Sequence, residues 1–279
     1  MATLSDYRDR PHWSFSSLNQ FFNICSLQYA FERVYRLQRA FTPATLSFGS
    51  AFHRVMEWAA LERMQGHTPQ PGSASELFQD VWARQLQEDT DISFGGDGDA
   101  DTMAGLGRGM CACAVTALDP DEQVIRVCEA FCVPLTLAGG GTLETPLIGE
   151  IDCVTRKAGR TTLVDWKTAG RKWPRGKADA DWQPTAFIHG YSIMHGLTPD
   201  FRFDIVTKAG KPVCESQLTT RTPDDFTRLA GYAELAERMI ASEHFHPNEH
   251  AFFCGSCPFR EPCRNWHKMK ARTAVRMAA

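Results

Sequence analysis

Ionisable side chains recur at alternate positions in two short segments of the sequence, GEIDCV and LVDWKT. In a β-strand this spacing puts Glu150 and Asp152 on one face, and likewise Asp165 and Lys167. The tight turn at 158–160 makes the strands antiparallel neighbours, so the four groups can meet on one sheet surface. Paired carboxylates there bind a hard cation such as Mg²⁺ or Mn²⁺, and the lysine stabilises negative charge. A solvent-facing ion pair is the alternative, but the apolar residues around DWK predict partial burial.

A second group of metal-ligating residues lies near the end of the sequence, in CGSCPFREPC. It places Cys254, Cys257 and Cys263 at C-x2-C-x5-C spacing, one ligand short of the four that metal and cluster sites generally use. His267 would complete a local zinc site of the C-x2-C-x5-C-x3-H type. Cys25, far upstream, would instead complete a four-thiolate site for an iron–sulphur cluster. The spacing leaves both completions open.

The bulk composition describes a globular protein with a substantial core. The chain has 279 residues, 43% of them hydrophobic and 23% charged, which suits one large domain or two small ones. No apolar run approaches the roughly 20 residues of a membrane span, and the polar N-terminus lacks a signal-peptide pattern. We therefore expect no membrane association and a cytoplasmic location, where cysteines stay reduced. The net charge of −3 neither supports nor excludes a polyanionic partner.

Sequence periodicity predicts the elements that must position these residues. Helical spacing of apolar residues covers 14–38, 46–64, a short stretch around 76–88, 179–196 and 222–242. Alternating patterns predict strands at 123–137, 143–157 and 161–169, and a hairpin at 201–220. Stretches rich in Gly, Pro and Asp at 66–75 and 93–109 are typical of loops. We predict an α/β (α+β) fold, in which helices flank a central mixed β-sheet.

Taken in order, five segments resemble the PD-(D/E)XK nuclease superfamily, in its RecB-like branch. Besides GEIDCV and the DWK strand, FGSAFHRVME resembles the first motif of the family and carries His53. WQPTAFIHGY, with Gln183, resembles the helix after the catalytic strand, and SFSSLNQFFNICSLQYAF resembles the N-terminal segment that supplies a lone cluster cysteine. The resemblance implies a restriction-endonuclease-like core.

The same resemblance sets the expected domain organisation. We expect a single nuclease domain over 1–267, within which the acidic stretch at about 66–120 is a poorly matched insertion. Residues 268–279 are expected to form a basic, flexible tail.

The resemblance also implies roles for the residues of the DWK region. The implied metal ligands are His53, Asp152, Asp165 and the main-chain carbonyl of Trp166, holding Mg²⁺ or Mn²⁺. The implied catalytic residues are Asp152, Asp165, Lys167, which helps to activate the attacking water, and Gln183, which positions the lysine or the DNA strand. Phosphodiester hydrolysis is the reaction that this set supports.

Three further residues are expected to surround this site, namely Glu57, Glu150 and Tyr191. Glu57 stands four positions after His53 on the same helix face, where it can orient the imidazole. The family usually has a tyrosine one turn after the glutamine, but this chain has Phe187 there and Tyr191 a further turn along.

For the cysteines, the resemblance favours the distant partner. One RecB-like subgroup has this one-plus-three layout and carries a 4Fe–4S cluster; it includes the AddB nuclease domain and CRISPR-associated exonucleases. We therefore expect a 4Fe–4S cluster held by Cys25, Cys254, Cys257 and Cys263. Such a cluster would join the N-terminal helix to the C-terminal segment.

The function implied is a metal-dependent DNase, with exonuclease action on single-stranded DNA or DNA ends favoured over endonuclease action. Protein partners in CRISPR spacer processing or in recombination and repair are implied with it. The segment GRKWPRGK is expected to contact single-stranded DNA by charge and stacking, through Arg171, Lys172, Trp173, Arg175 and Lys177. Two alternatives remain: a non-catalytic DNA-end-binding adaptor of the same fold, and a zinc-stapled RNA-binding protein.

Overall fold

The structure is a computed structural model that describes residues 3–89, 91–96, 98–208, 210–266 and 268. The helices are α1 (Leu4–Arg8), α2 (Phe15–Asn19), α3 (Ser26–Tyr29), α4 (Ala44–Met64), α5 (Pro71–Glu88), α6 (Ala100–Thr116), α7 (Lys177–Ala180), α8 (Gln183–His195) and α9 (Pro223–Ala241). The strands are β1 (Thr42–Pro43), β2 (Ile92–Ser93), β3 (Gln123–Val133), β4 (Leu147–Lys157), β5 (Arg160–Ala169), β6 (Asp200–Thr207) and β7 (Cys214–Thr219). Two π-helical turns, Gln20–Ile24 and Ala30–Val34, flank α3, and a 3-10 turn spans Phe252–Ser256. The tail expected at 268–279 falls, except for residue 268, outside the described residues, as does His267.

Five strands form one mixed sheet in the order β3-β4-β5-β6-β7. Neighbouring strands are antiparallel except for β5 and β6, which are parallel. The parallel pair follows from the chain path, because α7 and α8 lie between β5 and β6 and return the chain to the same end of the sheet. The α/β prediction with a central mixed sheet is therefore confirmed.

The sheet opens into a fork between β4 and β5. Across the described residues, the ladder between these strands runs from Lys157–Arg160 to Cys153–Val164. Beyond that point β4 continues along β3, whereas β5 continues along β6 as far as the pair Ala169–Thr207. The two strands diverge where the DWK residues begin, and the fork leaves room for side chains between them.

Each face of the sheet is covered by its own apolar cluster. On one face, Leu163 packs with residues of α8, α9 and the N-terminal helices. On the other, Val164 and Trp166 pack with α4, α5 and α6. The alternation of Leu163 and Trp166 between the two clusters agrees with the faces predicted from the strand period.

The segment predicted as a loop at 93–109 is largely helical, because α6 begins at Ala100. Asp99 caps this helix by accepting the Thr102 N–H at 2.8 Å. Gly107, which suggested a loop, is needed for packing: a Cβ atom there would lie 2.0 Å from the Phe78 ring. Tertiary contact therefore outweighs the low helix propensity of glycine.

Two other helix boundaries differ from the prediction. The helix α5 begins at Pro71, inside the predicted 66–75 loop, because proline suits the first helical position. The single helix predicted for 14–38 is divided into α2, α3 and the two π-helical turns. Cys25 sits at the break before α3, with an extended backbone.

Candidate active site and cysteine cavity

The carboxylate of Asp152 lies in the fork between β4 and β5, where groups from two other elements reach it. The main-chain N–H of Trp166 donates a hydrogen bond to Asp152 Oδ2 at 3.1 Å. From α4, His53 Nδ1 lies 3.2 Å from the same oxygen. The His53 ring also meets the Trp166 ring edge to face, with the centroids 6.1 Å apart. A strand and a helix thus fix the position of Asp152.

On the neighbouring strand, Asp165 is almost fully enclosed, with 2% of its side chain exposed. The Gln183 amide, at the first residue of α8, donates a hydrogen bond to Asp165 Oδ1. Lys167 Nζ lies 2.5 Å from Asp165 Oδ2. Among the described residues this ion pair is the only polar contact of the buried Oδ2.

Opposing effects set the protonation of these groups. Burial raises the pKa of Asp165 to about 6, with the charge of Asp152 adding to the rise and Lys167 opposing it. For Lys167 burial favours the neutral amine, but the charges of Asp165 and Asp152 outweigh it and raise the pKa. The same balance holds at His53, where the hydrogen bond and charge of Asp152 raise the pKa against burial. The buried Asp165 and the partly buried Asp152 therefore stabilise the protonated forms of Lys167 and His53.

The donor types at the fork are those that a divalent cation uses. Across the described ranges, no three His, Cys, Asp or Glu side chains are gathered tightly enough to hold a metal ion as they stand. His53 Nδ1 contacts Asp152 Oδ2 directly, and a hydrogen bond between them requires a proton on Nδ1. Metal ligands must release such protons, so the same groups can serve once deprotonated. Oδ2 of Asp165, which contacts the Lys167 ammonium, adds a hard oxygen of the kind that Mg²⁺ and Mn²⁺ prefer.

The residues expected around the implied metal ligands differ in what they contact and in how deeply they are buried. Glu150 is half-buried, and its pKa is raised by burial and by the charges of Asp152 and Glu57. Glu57 is paired with Arg54 at 3.2 Å, whereas the carboxylate that contacts His53 is Asp152. Tyr191 is buried in the core further along α8. The structure thus brings Glu150 next to the site and places Tyr191 in the interior.

The segment GRKWPRGK leaves its four basic residues exposed, namely Arg171, Lys172, Arg175 and Lys177. Its tryptophan is already engaged, because the Trp173 ring packs against Phe203 with the centroids 5.0 Å apart. Lys177 Nζ lies 3.7 Å from the centroid of the same indole ring. Lys177 and Trp173 therefore contact each other in this structure.

A groove that the sequence did not reveal runs beside Lys167. It has a volume of about 570 Å³, and its lining includes Glu150, Lys167 and Gln183. The N-terminal segment adds Arg8 and Arg33 to this lining, and no local pattern marks these arginines. They reach the site only because the N-terminal helices pack over the sheet, more than one hundred positions from the DWK strand in the sequence.

The four cysteines expected to bind a cluster line one cavity. Cys25, Cys254, Cys257 and Cys263 surround a space of about 200 Å³. The Cys25 sulphur accepts the Gln28 N–H at 3.4 Å, and the Gln28 side chain reaches Cys257 Sγ at 3.5 Å. Burial raises the pKa of Cys257 and of Cys263, and the neighbouring thiols add to the effect. The four thiols line one cavity, but among the described residues no three of them are gathered closely enough to hold a metal ion or cluster.

The chain belongs to the PD-(D/E)XK nuclease superfamily, whose family model matches residues 12–264. The solved structure of a provisionally assigned exonuclease from Eubacterium rectale is similar, with a TM-score of 0.53 at 13% identity, covering 92% of this chain and 93% of that one. The solved structure of SSO0001 has a TM-score of 0.45 at 11% identity, covering 92% of this chain and 89% of that one. A comparison with curated proteins gave no match. At these identities the structural likeness shows the fold alone, and the superfamily prediction is confirmed.

One finding bears on the expected absence of membrane association. None of the helices in the described part of the chain is long and apolar enough to cross a bilayer.

Proposed function

We propose that the protein is a divalent-metal-dependent DNA nuclease that removes nucleotides from single-stranded DNA or from DNA ends. The observation that carries this proposal is the Asp152–Asp165–Lys167 arrangement at the fork, in which the buried Asp165 carboxylate contacts the Lys167 ammonium and the Gln183 amide. Such an arrangement is costly to keep unless it serves chemistry. Membership of the nuclease superfamily supports the reaction type.

The side chains divide the work as follows. Asp152, Asp165, His53 and the Trp166 carbonyl would hold Mg²⁺ or Mn²⁺, which when bound polarises the phosphate and lowers the pKa of water. Lys167 keeps its proton because its pKa is raised, so it acts as a hydrogen-bond donor where negative charge develops. Gln183 holds Asp165 by the amide hydrogen bond and fixes the direction of its second oxygen.

The shape of the groove supports a single strand as the substrate. Its volume of about 570 Å³ lies within the range of small-ligand pockets, which is the scale of a few nucleotides and not of a duplex. Arginines in its lining suit a phosphate backbone. Exonuclease action rests on the resemblance to the RecB-like branch, as does a role in CRISPR spacer processing or in recombination and repair.

We also propose a 4Fe–4S cluster in the cysteine cavity and one domain over 1–267 in the cytoplasm. The cluster proposal is supported by four thiols from the two ends of the chain lining one space. Anaerobic purification should give a brown protein with about four irons per chain. A colourless protein that holds zinc, and that loses it on His267→Ala, would favour the local zinc site.

Cleavage assays test the nuclease directly. We would incubate end-labelled linear single-stranded DNA and circular single-stranded DNA with the protein in Mg²⁺, in Mn²⁺ and in EDTA. The proposal predicts metal-dependent shortening of the linear strand and an intact circle. Asp165→Asn is the inactive control. Tight DNA binding without cleavage in either metal would establish the adaptor alternative, and a cut circle would establish endonuclease action.

A further inference from the structure

We propose that Arg33 is a phosphate-binding residue of the groove beside Lys167, that Arg8 assists it, and that Gln20 positions it. The proposal rests on the proposed function and assigns part of the lining of its substrate groove. The occupant is the backbone of single-stranded DNA next to the phosphate that is cleaved.

The position of Arg33 is set by a buried side chain. Its Nε donates a hydrogen bond to Gln20 Oε1 at 3.0 Å, and Gln20 is 7% exposed. The other end of the Gln20 amide donates to Glu32 Oε2 at 2.7 Å, which fixes the amide orientation. The guanidinium carbon also lies 5.9 Å from the centroid of the Tyr29 ring. One edge of the arginine is therefore held by the protein interior.

The outer edge of the same guanidinium is free to bind a ligand. Over the described ranges, neither terminal nitrogen of Arg33 has a hydrogen-bond partner, although Arg33 lines the groove. Arginine presents paired donors that match a phosphate group. A side chain anchored by one nitrogen, with its terminal pair facing a groove, loses less conformational freedom on binding than a fully mobile arginine.

The backbone around Arg33 is unusual in a way that supports a site. Arg33 belongs to the π-helical turn Ala30–Val34, and Gln20 begins the other π-helical turn, Gln20–Ile24. Such turns are rare and occur often at functional sites. Here they bring two side chains thirteen positions apart into contact.

The charged residues that line the groove favour some placements of a strand over others. Glu150 repels phosphates, and this repulsion is offset near Lys167. Arg33 attracts phosphates, as does Arg8, whose charge also acts on Glu150. Phe15 and Phe187 supply apolar surface in the lining, where sugars and bases can rest. The phosphate to be cleaved then lies at Lys167, and a neighbouring phosphate lies at Arg33.

Arg33→Ala, Arg33→Lys and a charge-matched control test the assignment. The control is Arg238→Ala on α9, whose side chain is 68% exposed and does not line the groove. We would measure the Kd of labelled oligo(dT) in EDTA at several salt concentrations, and kcat and KM in Mn²⁺. Arg33→Ala should weaken binding roughly ten-fold, since a hydrogen bond to a charged group is lost. The slope of log K against log salt should become shallower by about 0.7.

The remaining outcomes distinguish a failure of the Arg33 assignment from a failure of the proposed nuclease function. Arg33→Ala should raise KM and leave kcat nearly unchanged, and Arg33→Lys should restore the salt slope but only part of the affinity. Equal Kd values for wild type, Arg33→Ala and Arg238→Ala would overturn the assignment even if the protein cleaves DNA. A protein that never cleaves DNA, yet loses binding through Arg33→Ala, would retain the assignment and refute the nuclease.

Gln20 has a test of its own. Gln20→Met should weaken DNA binding in the wild type but have no further effect in the Arg33→Ala background, because positioning requires the arginine. Additive losses in the double variant would remove Gln20 from the positioning role.

Discussion

Replacing Lys167 by methionine removes the ammonium and keeps an unbranched apolar stem of similar length. We expect cleavage of single-stranded DNA to fall by roughly 10²–10³-fold, the cost of losing one preorganised donor at a developing charge, about 2.7–4 kcal/mol. Binding of DNA should change little, because one lysine is a small part of a groove that follows the backbone.

The structure also limits what this change can do to stability. Without Lys167 the buried carboxylate of Asp165 has lost its ion pair. Because its pKa is raised to about 6, the carboxyl can take up a proton near neutral pH at a small cost, on the order of 1 kcal/mol. Loss of the lysine raises that pKa further and reduces the cost. A domain of ordinary stability, about 5–15 kcal/mol, stays folded after such a change.

Three measurements test the expected loss of cleavage and the expected retention of binding and folding. Single-turnover cleavage in Mn²⁺, oligonucleotide binding in EDTA and urea unfolding are measured on one preparation at one salt concentration. Lys157→Met is the matched control, because Lys157 also pairs with an aspartate, Asp119, at the exposed far end of β4. Parallel loss of binding and cleavage would place Lys167 in a docking surface and refute its role in the chemical step.

Three further changes test other parts of the structure. Asp165→Asn should abolish cleavage and weaken Mn²⁺ binding measured by calorimetry, because a hard oxygen ligand is lost; unchanged Mn²⁺ affinity would remove Asp165 from the metal site. Cys25→Ser should lose iron and lower the midpoint of thermal unfolding, whereas Cys132→Ser, at an exposed cysteine outside the cavity, should do neither. Burial opposes ionisation of Glu122, but the hydrogen bond and charge of Arg202 outweigh burial and lower the Glu122 pKa from 4.5. The ion pair between Glu122 and Arg202 therefore stabilises the fold above pH 4.5, and this stabilisation decreases as acid protonates the carboxylate. Urea unfolding should therefore show Glu122→Gln least stable, relative to wild type, near neutral pH, with the difference shrinking below about pH 4; a difference independent of pH would show that the ion pair is not the cause.

The DWK site was predictable because its information is local. Asp165 and Lys167 share a strand face through the period of two, and the apolar residues around them predict burial. The fork was not predictable, because it depends on where β4 leaves β5 for β3, and no residue pattern marks that point. Asp152 was therefore expected on an even sheet surface, whereas it lies between diverging strands.

The wrong prediction at α6 and the failure to predict the groove beside Lys167 share one cause. Gly107 lowers helix propensity when only its own segment is considered, but it admits the Phe78 ring from α5. Arg33 has no sequence signal for DNA binding, because its role depends on Gln20 and on a groove wall that comes from another part of the chain. In both cases the decisive contact joins residues that are distant in sequence, and such contacts escape periodicity analysis.

The cysteine cavity has a consequence for how the protein is made. Its walls come from both ends of the chain, with Cys25 separated from Cys254 by about 230 residues. At the usual speed of synthesis, the ribosome needs roughly ten to fifty seconds to cover that distance. Throughout this interval Cys25 lacks the three later cysteines that line the cavity with it, and the cavity cannot close until Cys263 has emerged. The cluster that we propose could therefore be loaded only after nearly the whole of this sequence has been synthesised.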